Sequence, residues 1–155
     1  MPQSRSDAMR IDGRCHCGNL GFALETALTW ETLRPRECDC SFCRAHAARC
    51  VSDPQGRAAI FVADPDRLVR YRFGLRTAAF LLCGNCGVYI GAYAEEEQGG
   101  FATLNLRATA HRDRAGAATS YGHETAEGRR ARRRKRWTPA ELRLGAAPPD
   151  APGTA

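Results

Sequence analysis

The chain has 155 residues, 43% of them hydrophobic and 26% charged, which are the proportions of one ordinary globular domain and exclude a fibrous or wholly disordered protein. The longest apolar run, residues 78–83, is far shorter than the ~20 residues of a membrane-spanning helix. Because residues 1–13 are polar and lack the apolar stretch of a secretory signal, the expected compartment is the cytoplasm, where thiols stay reduced.

The positive charge is concentrated in one place. The formal net charge is +6, and residues 129–136 contribute seven of the 23 Lys and Arg residues, so the rest of the chain is close to neutral. This run has three interpretations: a patch for nucleic acid or another polyanion, a cationic edge that attracts anionic thiols, or a solvated terminal segment that Trp137 anchors to the fold. The sequence favours the third, and we expect nucleic acid not to be a partner.

Short apolar segments between Gly, Pro and Asp turns predict a mainly β fold. Helices are predicted only at 41–47 and at 138–143, where Thr138 and Pro139 have the pattern of a helix start. One domain is expected over 9–143, with a flexible N-terminus (1–8) and a disordered Ala/Pro/Gly-rich tail (144–155). Strands are predicted over residues 9–16, 19–25, 48–52, 58–63, 67–72, 77–83, 88–93 and 101–107.

The eight cysteines predict metal binding, because four of them fall in two pairs with chelating spacings. Cys15 and Cys17, two residues apart on a predicted strand, would point to the same face. Cys83 and Cys86 form a CxxC loop, a common half of a tetrahedral zinc site. Together the pairs predict one four-thiolate site that joins the first hairpin to the later strands.

A second cysteine cluster consists of Cys38, Cys40 and Cys43. Three thiolates leave the fourth position of a tetrahedral metal open, as in catalytic zinc sites. Cys50 or His46 is close enough in sequence to close it and make the site structural. Disulfides are the other alternative, with 105 possible pairings of eight cysteines. Cys50 is otherwise expected to be a small buried hydrophobic residue.

The cysteine motifs, in this order, resemble those of the glutathione-dependent formaldehyde-activating enzyme family, also called the CENP-V/GFA domain. The resemblance extends over about residues 9–107. The family often has Gly at the position of Ala47, a difference expected to concern packing. The segments that match are Gly13-Arg14-Cys15-His16-Cys17-Gly18, Cys38-Asp39-Cys40-Ser41-Phe42-Cys43-Arg44, Cys83-Gly84-Asn85-Cys86-Gly87 and Leu104-Asn105-Leu106-Arg107.

The resemblance implies an Mss4-like tent of short antiparallel sheets and two zinc ions per chain. It implies a structural zinc on Cys15, Cys17, Cys83 and Cys86. It also implies a second zinc on Cys38, Cys40 and Cys43, the residues expected to carry catalysis. The implied activity is that of a carbon–sulfur lyase acting on a thiol–aldehyde adduct, the family's own pair being glutathione and formaldehyde.

An acidic thiol such as glutathione would need cationic partners, and Arg36, Arg44 and Arg49 lie near the motifs. Glu37 and Asp39 flank Cys38 and are candidates for moving protons, although Asp39 is expected to point away from the metal. The alternative to an enzyme is a zinc scaffold that binds a protein or nucleic acid through the basic run.

Overall fold

The computed structural model describes residues 8–149. In this part of the chain, eleven strands form one mixed sheet, accompanied by three α-helices and two single turns of 3₁₀ helix at Pro65–Arg67 and Leu106–Ala108. The α-helices are α1 (Trp30–Leu33), α2 (Ser41–Ala45) and α3 (Ala126–Arg136). The strands are β1 (Met9–Arg14), β2 (Leu20–Thr26), β3 (Arg36–Cys38), β4 (Cys50–Val51), β5 (Arg57–Val62), β6 (Leu68–Tyr71), β7 (Ala79–Cys83), β8 (Tyr89–Glu96), β9 (Gly99–Asn105), β10 (Ala117–Thr119) and β11 (Thr138–Leu144).

The mainly β prediction is confirmed, and each of the eight predicted strands overlaps one of the strands found. The predicted helix at 41–47 is α2. The strands β3 and β10 were not predicted; they are three residues long and pair with each other in parallel. Segments this short show too little alternation to be recognised from sequence.

The predicted helix at 138–143 is wrong, because this segment is the strand β11. It pairs in parallel with β5 and antiparallel with β9, which places it inside the sheet. Ala140 and Leu142 pack against the core while Glu141 and Arg143 are exposed, the alternation of a strand. The Thr138 hydroxyl accepts a hydrogen bond from the Asp53 amide at 2.7 Å instead of capping a helix.

The sheet runs in the order β1-β2-β5-β11-β9-β4-β3-β10, and β6, β7 and β8 continue from β9 as a meander. The main core contains fully buried side chains of β2, β5 and β9, such as Phe22, Ile60 and Leu104. β9 is buried on both faces, because Thr103 and Asn105 are also almost inaccessible. Its polar face turns towards the second cysteine cluster, where the Asn105 amide donates to the Tyr89 carbonyl at 2.9 Å.

The basic run forms most of α3, which ends where the buried Trp137 precedes β11. Trp137 anchors the segment as expected. The expectation of a merely solvated segment is wrong for Arg133, which is only 6% exposed, and for the half-buried Arg129 and Arg132. These three positions share one helix face because they are spaced by three and four residues. Residues 130 and 134–136 are exposed.

The first residues of the predicted disordered tail are part of the fold. Leu144 still belongs to β11, and the amides of Gly145 and Ala146 donate to the Val62 carbonyl at 2.8 and 3.2 Å. Pro148 is buried. Residues 150–155 of the predicted tail, and 1–7 of the predicted flexible N-terminus, lie outside the described residues. None of the described helices is both long and apolar enough to cross a bilayer.

Candidate metal centres

The first cysteine group consists of Cys15, Cys17, Cys83 and Cys86, called here the four-cysteine group. Its four sulfurs lie within 4.8 Å of one another. The Cys17 sulfur is 3.7 Å from that of Cys15 and 3.5 Å from that of Cys83. Four thiolates around a tetrahedral ion at a zinc–sulfur distance of ~2.3 Å lie about 3.8 Å apart. The group is therefore arranged so that it could hold a metal ion, as predicted.

Two tight turns bring these sulfurs together. Cys15 and Cys17 lie in the turn after β1 and not on a strand as expected; Gly18, at φ +87°, completes that turn. Backbone amides point at the sulfurs: Leu20 N lies 3.2 Å from the Cys15 sulfur, and Cys86 N lies 3.4 Å from the Cys83 sulfur. Such donors stabilise thiolates. The amide donors of these turns thus favour the thiolate form of the cysteines, which metal binding requires.

The four thiols differ in acidity. A hydrogen bond from the Asn85 side chain lowers the pKa of Cys17 to about 6, while burial raises the pKa of Cys15 to about 12. Cys17 is therefore a thiolate near neutral pH even without a metal ion, whereas Cys15 needs a nearby cation to lose its proton. Cys15 and Cys83 are buried, and a buried thiolate is costly unless a cation compensates its charge, so the arrangement is consistent with a metal site.

The second group, Cys38, Cys40 and Cys43, is called here the three-cysteine group. Cys38 ends β3, Cys40 caps the N-terminus of α2, and Cys43 lies inside that helix. Their sulfurs lie within 4.8 Å of one another, and the Cys43 amide donates to the Cys40 sulfur at 3.4 Å. Hydrogen bonds from Cys38 and Cys43 lower the pKa of Cys40 to about 2, whereas hydrogen bonds with Cys38 and Cys40 raise the pKa of Cys43.

The end of α2 explains one departure from the family pattern. The Ala48 amide donates to the Cys43 carbonyl at 2.9 Å and the Ala47 amide to the Arg44 carbonyl at 3.2 Å, the two bonds of a Schellman motif. Ala47 has the left-handed conformation of this motif, with φ +49°, which favours glycine. The expectation that the change from Gly to Ala concerns packing is therefore wrong, since its effect is on the backbone.

Neither proposed fourth ligand closes the three-cysteine group. Among the described residues, no Cys50 sulfur, His46 ring nitrogen or carboxylate oxygen lies within 4.8 Å of all three sulfurs. The His46 ring instead packs on Phe42 and Tyr89, at centroid distances of 4.5 and 5.6 Å. Cys50 lies in the wall of the adjoining cavity, where burial raises its pKa to about 11.

This space has a volume of about 190 Å³ and is called the cavity below. Cys38, Cys40 and Cys43 all line it. Phe73, Phe80 and Tyr89 form an aromatic wall. Burial raises the pKa of Tyr89 well above its ordinary value, so its hydroxyl stays protonated. Arg133 and Trp137 of the α3 region form the far side. The three-cysteine group therefore faces a largely apolar space with cationic groups.

The polar residues proposed near the motifs differ in whether they reach the cavity. Arg36 lines the cavity and donates to the Thr103 hydroxyl at 3.3 Å. Arg44 is exposed and does not line the cavity. Arg49 is occupied, because it pairs with Glu37 at 2.7 Å. Asp39 is an exposed residue that lines the cavity, and its carboxylate is not among the groups that converge on the three sulfurs.

Sequence reasoning missed Tyr89 and the inward-facing arginines of α3. The arginines were recognisable from the 129/132/133 spacing after Thr125, a helix-capping residue type whose hydroxyl accepts the Gly128 amide at 3.0 Å. Tyr89 had no such signal, because its position beside Cys50 depends on the pairing of β8 with β9 and of β9 with β4.

No protein-family model matches the chain, and no curated protein matches it. Among solved structures, a Rhodobacter sphaeroides protein from structural genomics is similar: it is 27% identical with a TM-score of 0.52, over 70% of this chain and all of that chain. This similarity supports the fold. The function therefore rests on the site itself.

Proposed function

We propose that the protein is a zinc-dependent enzyme of the carbon–sulfur lyase type, which makes or cleaves a thiol–aldehyde adduct at the three-cysteine group. The observation that supports this proposal most directly is that three sulfurs converge beside a cavity while no fourth side chain of the described residues joins them. The four-cysteine group would hold a second, structural zinc. Sulfur-only ligands in tetrahedral spacing favour zinc over magnesium or calcium, which prefer oxygen. The resemblance to the formaldehyde-activating family supports the same activity.

When bound at Cys38, Cys40 and Cys43, zinc would supply a Lewis acid that keeps an incoming thiol deprotonated. The chain's own residues would do the rest. The aromatic wall excludes water around the carbonyl. Confinement in the cavity holds sulfur and carbonyl carbon in reacting distance.

The reaction needs one proton to be moved and no oxidant. The thiol loses a proton, its sulfur forms a bond to the carbonyl carbon, and the π electrons of the carbonyl become an alkoxide that takes up a proton. Asp39 is the only carboxylate among the residues that line the cavity, and it is exposed to solvent. It would accept the thiol proton and return it to the alkoxide. Glu37 is held by Arg49 and is not needed for this step.

The test is a screen of thiols against aldehydes with protein purified without oxygen, following hemithioacetal formation by NMR. We expect formation to be faster than the uncatalysed rate, and to return to that rate in Cys40→Ser. Cys50→Ser is the matched control, because Cys50 lines the same cavity but does not join the three sulfurs. X-ray absorption showing four protein sulfurs at both metals, with no rate enhancement for any pair, would contradict the proposal.

The scaffold alternative loses support from the position of α3. Three of the seven basic residues face inward, and the exposed Arg134 is paired with Glu96 at 3.2 Å. The remaining patch would contact phosphates without reading bases. We expect weak binding of labelled oligonucleotides at ~50 mM salt that disappears at ~200 mM. Tight, sequence-selective binding at the higher salt would favour the scaffold.

A further inference from the structure

Arg133 is a buried cation that forms no ion pair with a carboxylate of residues 8–149. Its side chain enters the cavity although the residue is only 6% exposed. One terminal nitrogen donates to the Thr77 hydroxyl, and the guanidinium lies over the Trp137 ring at 4.5 Å. The Nε atom is buried without a hydrogen-bond partner. A guanidinium in a protein cannot be neutralised at ordinary pH, so its burial calls for an anion.

The neighbouring charges do not supply that anion. Glu124 is the carboxylate of this region, and its oxygens bind Arg132 at 2.7 Å and Arg129 at 3.3 Å. Among the described residues, no carboxylate forms an ion pair with Arg133. Burial, together with the charges of Arg132 and Arg129, lowers the pKa of Arg133 to about 10. The local field therefore attracts an anion into the cavity.

The lining of the cavity limits what that anion belongs to. Its volume of about 190 Å³ is many times the ~10–15 Å³ that one water needs, so the cavity accommodates a small organic molecule. Both the three-cysteine group and Arg133 line it. A ligand that uses both groups needs a thiol and a carboxylate on one short chain, as in 3-mercaptopropionate.

We propose that Arg133 binds the carboxylate of a short mercapto acid whose sulfur lies at the three-cysteine group. This assignment rests on the proposed function for the sulfur end, whereas the carboxylate end rests on Arg133 itself. The unpartnered Nε belongs to the edge of the guanidinium that binds carboxylates in the two-bond geometry. The methylene carbons between the two ends would lie against Phe80 and Trp137, which line the same space.

The first experiment uses the native, metal-loaded protein and needs no variant. Equilibrium binding is measured for 3-mercaptopropionate and for 3-mercaptopropionamide, which keeps the thiol but not the charge. We expect the acid to bind at least tenfold more tightly than the amide. Equal binding of acid and amide would overturn the assignment while leaving the proposed function intact.

The second experiment locates the charge. Arg133→Gln should bind the acid and the amide equally, whereas Arg130→Gln should keep the tenfold preference. Arg130 is the matched control because it is an exposed arginine of the same helix that does not line the cavity, so its replacement removes the same charge. A preference that survives in Arg133→Gln would overturn the assignment.

The third experiment separates the two proposals. Propionate, which lacks sulfur, should quench or shift Trp137 fluorescence in the native protein and not in Arg133→Gln. If propionate has this effect and no thiol reacts, the carboxylate site is supported and the lyase proposal fails. If thiols react but propionate has no effect at any concentration, the carboxylate site fails and the lyase proposal stands.

Discussion

The four-cysteine and three-cysteine groups use the same ligand atom in two different surroundings. The four sulfurs of the first come from two turns far apart in the sequence: Cys17 and Cys83 are separated by 66 positions, and their sulfurs lie 3.5 Å apart. The three sulfurs of the second come from one short segment at β3 and α2. The first joins distant parts of the chain, whereas the second is organised locally and needs no distant strand to bring its ligands together.

The surroundings differ as much as the ligand number. Cys15 and Cys83 of the four-cysteine group belong to the main core. The three-cysteine group has a core of its own, with Tyr89 and Ala48, and faces the cavity. A tetrahedral metal would be saturated in the first and would keep an exchangeable position in the second. On the proposed function, the first site would therefore serve stability and the second chemistry.

The largest effect is expected from breaking the four-cysteine group. Cys86→Ser should leave the chain largely unfolded, because structural zinc contributes about 10–16 kcal/mol to folding in small domains. Far-UV circular dichroism and elemental analysis would measure this. Cys50→Ser serves as control and should remain folded. A Cys86→Ser protein with native melting temperature and undiminished metal content would contradict the structural role.

Breaking the three-cysteine group should have the opposite pattern. Cys40→Ser should fold, since the change of sulfur to oxygen is small and the strands do not depend on it, but one of two metal equivalents should be lost. Activity should fall by more than about 100-fold, because even an outer-shell change costs about 10–100-fold at metal sites. Metal content, thermal melting and initial rates measure the three effects. Unfolding of Cys40→Ser would show that this group is structural too.

The cysteine groups could be predicted from sequence because their spacings are local. The CxxC loop and the Cys38–Cys43 segment specify their own geometry over a few residues, and the order of the clusters suggested how the first two combine. The strands β7 and β8 were recognisable for the same reason, since their apolar runs are bounded by turn residues.

The cavity could not be predicted in the same way. It depends on α3 and β11, which the sequence analysis described as a solvated run and a helix. Seven like charges in eight positions argue against a helix until Glu124 is seen to pair with two of them. The position of β11 between β5 and β9 is a long-range pairing, and its Thr-Pro start has the same local pattern as a helix cap.

A smaller effect distinguishes the backbones of the two sites. The four-cysteine turns have Gly18 and Gly87 at positive φ, whereas the helix of the three-cysteine group ends on Ala47 at φ +49°. Ala47→Gly should stabilise the protein by about 1 kcal/mol, the ~1–2 kcal/mol left-handed penalty less the entropy cost of glycine. Denaturant unfolding would measure it. Gly87→Ala, where an added Cβ meets nothing within 4 Å, should destabilise by a similar amount, and no change in either variant would contradict the argument.

The smallest effect concerns Glu124, which holds Arg132 and Arg129 on the cavity side of α3. The Arg132 hydrogen bond lowers the pKa of Glu124 in the folded protein. A carboxyl group whose folded pKa is depressed stabilises the protein fully above its unfolded pKa, ~4.3, and loses that contribution as the pH falls through the folded value. Glu124→Gln should therefore lower the free energy of unfolding by about 1 kcal/mol or less at pH 7 and should have no effect near pH 2.

Urea unfolding across pH 2–7 measures the difference. The control is Glu127→Gln, which changes an exposed residue in the first turn of α3. A cost that stays constant down to pH 2 would mean that Glu124 acts through packing rather than through its charge, and that the arginines facing the three-cysteine group are positioned by the helix alone.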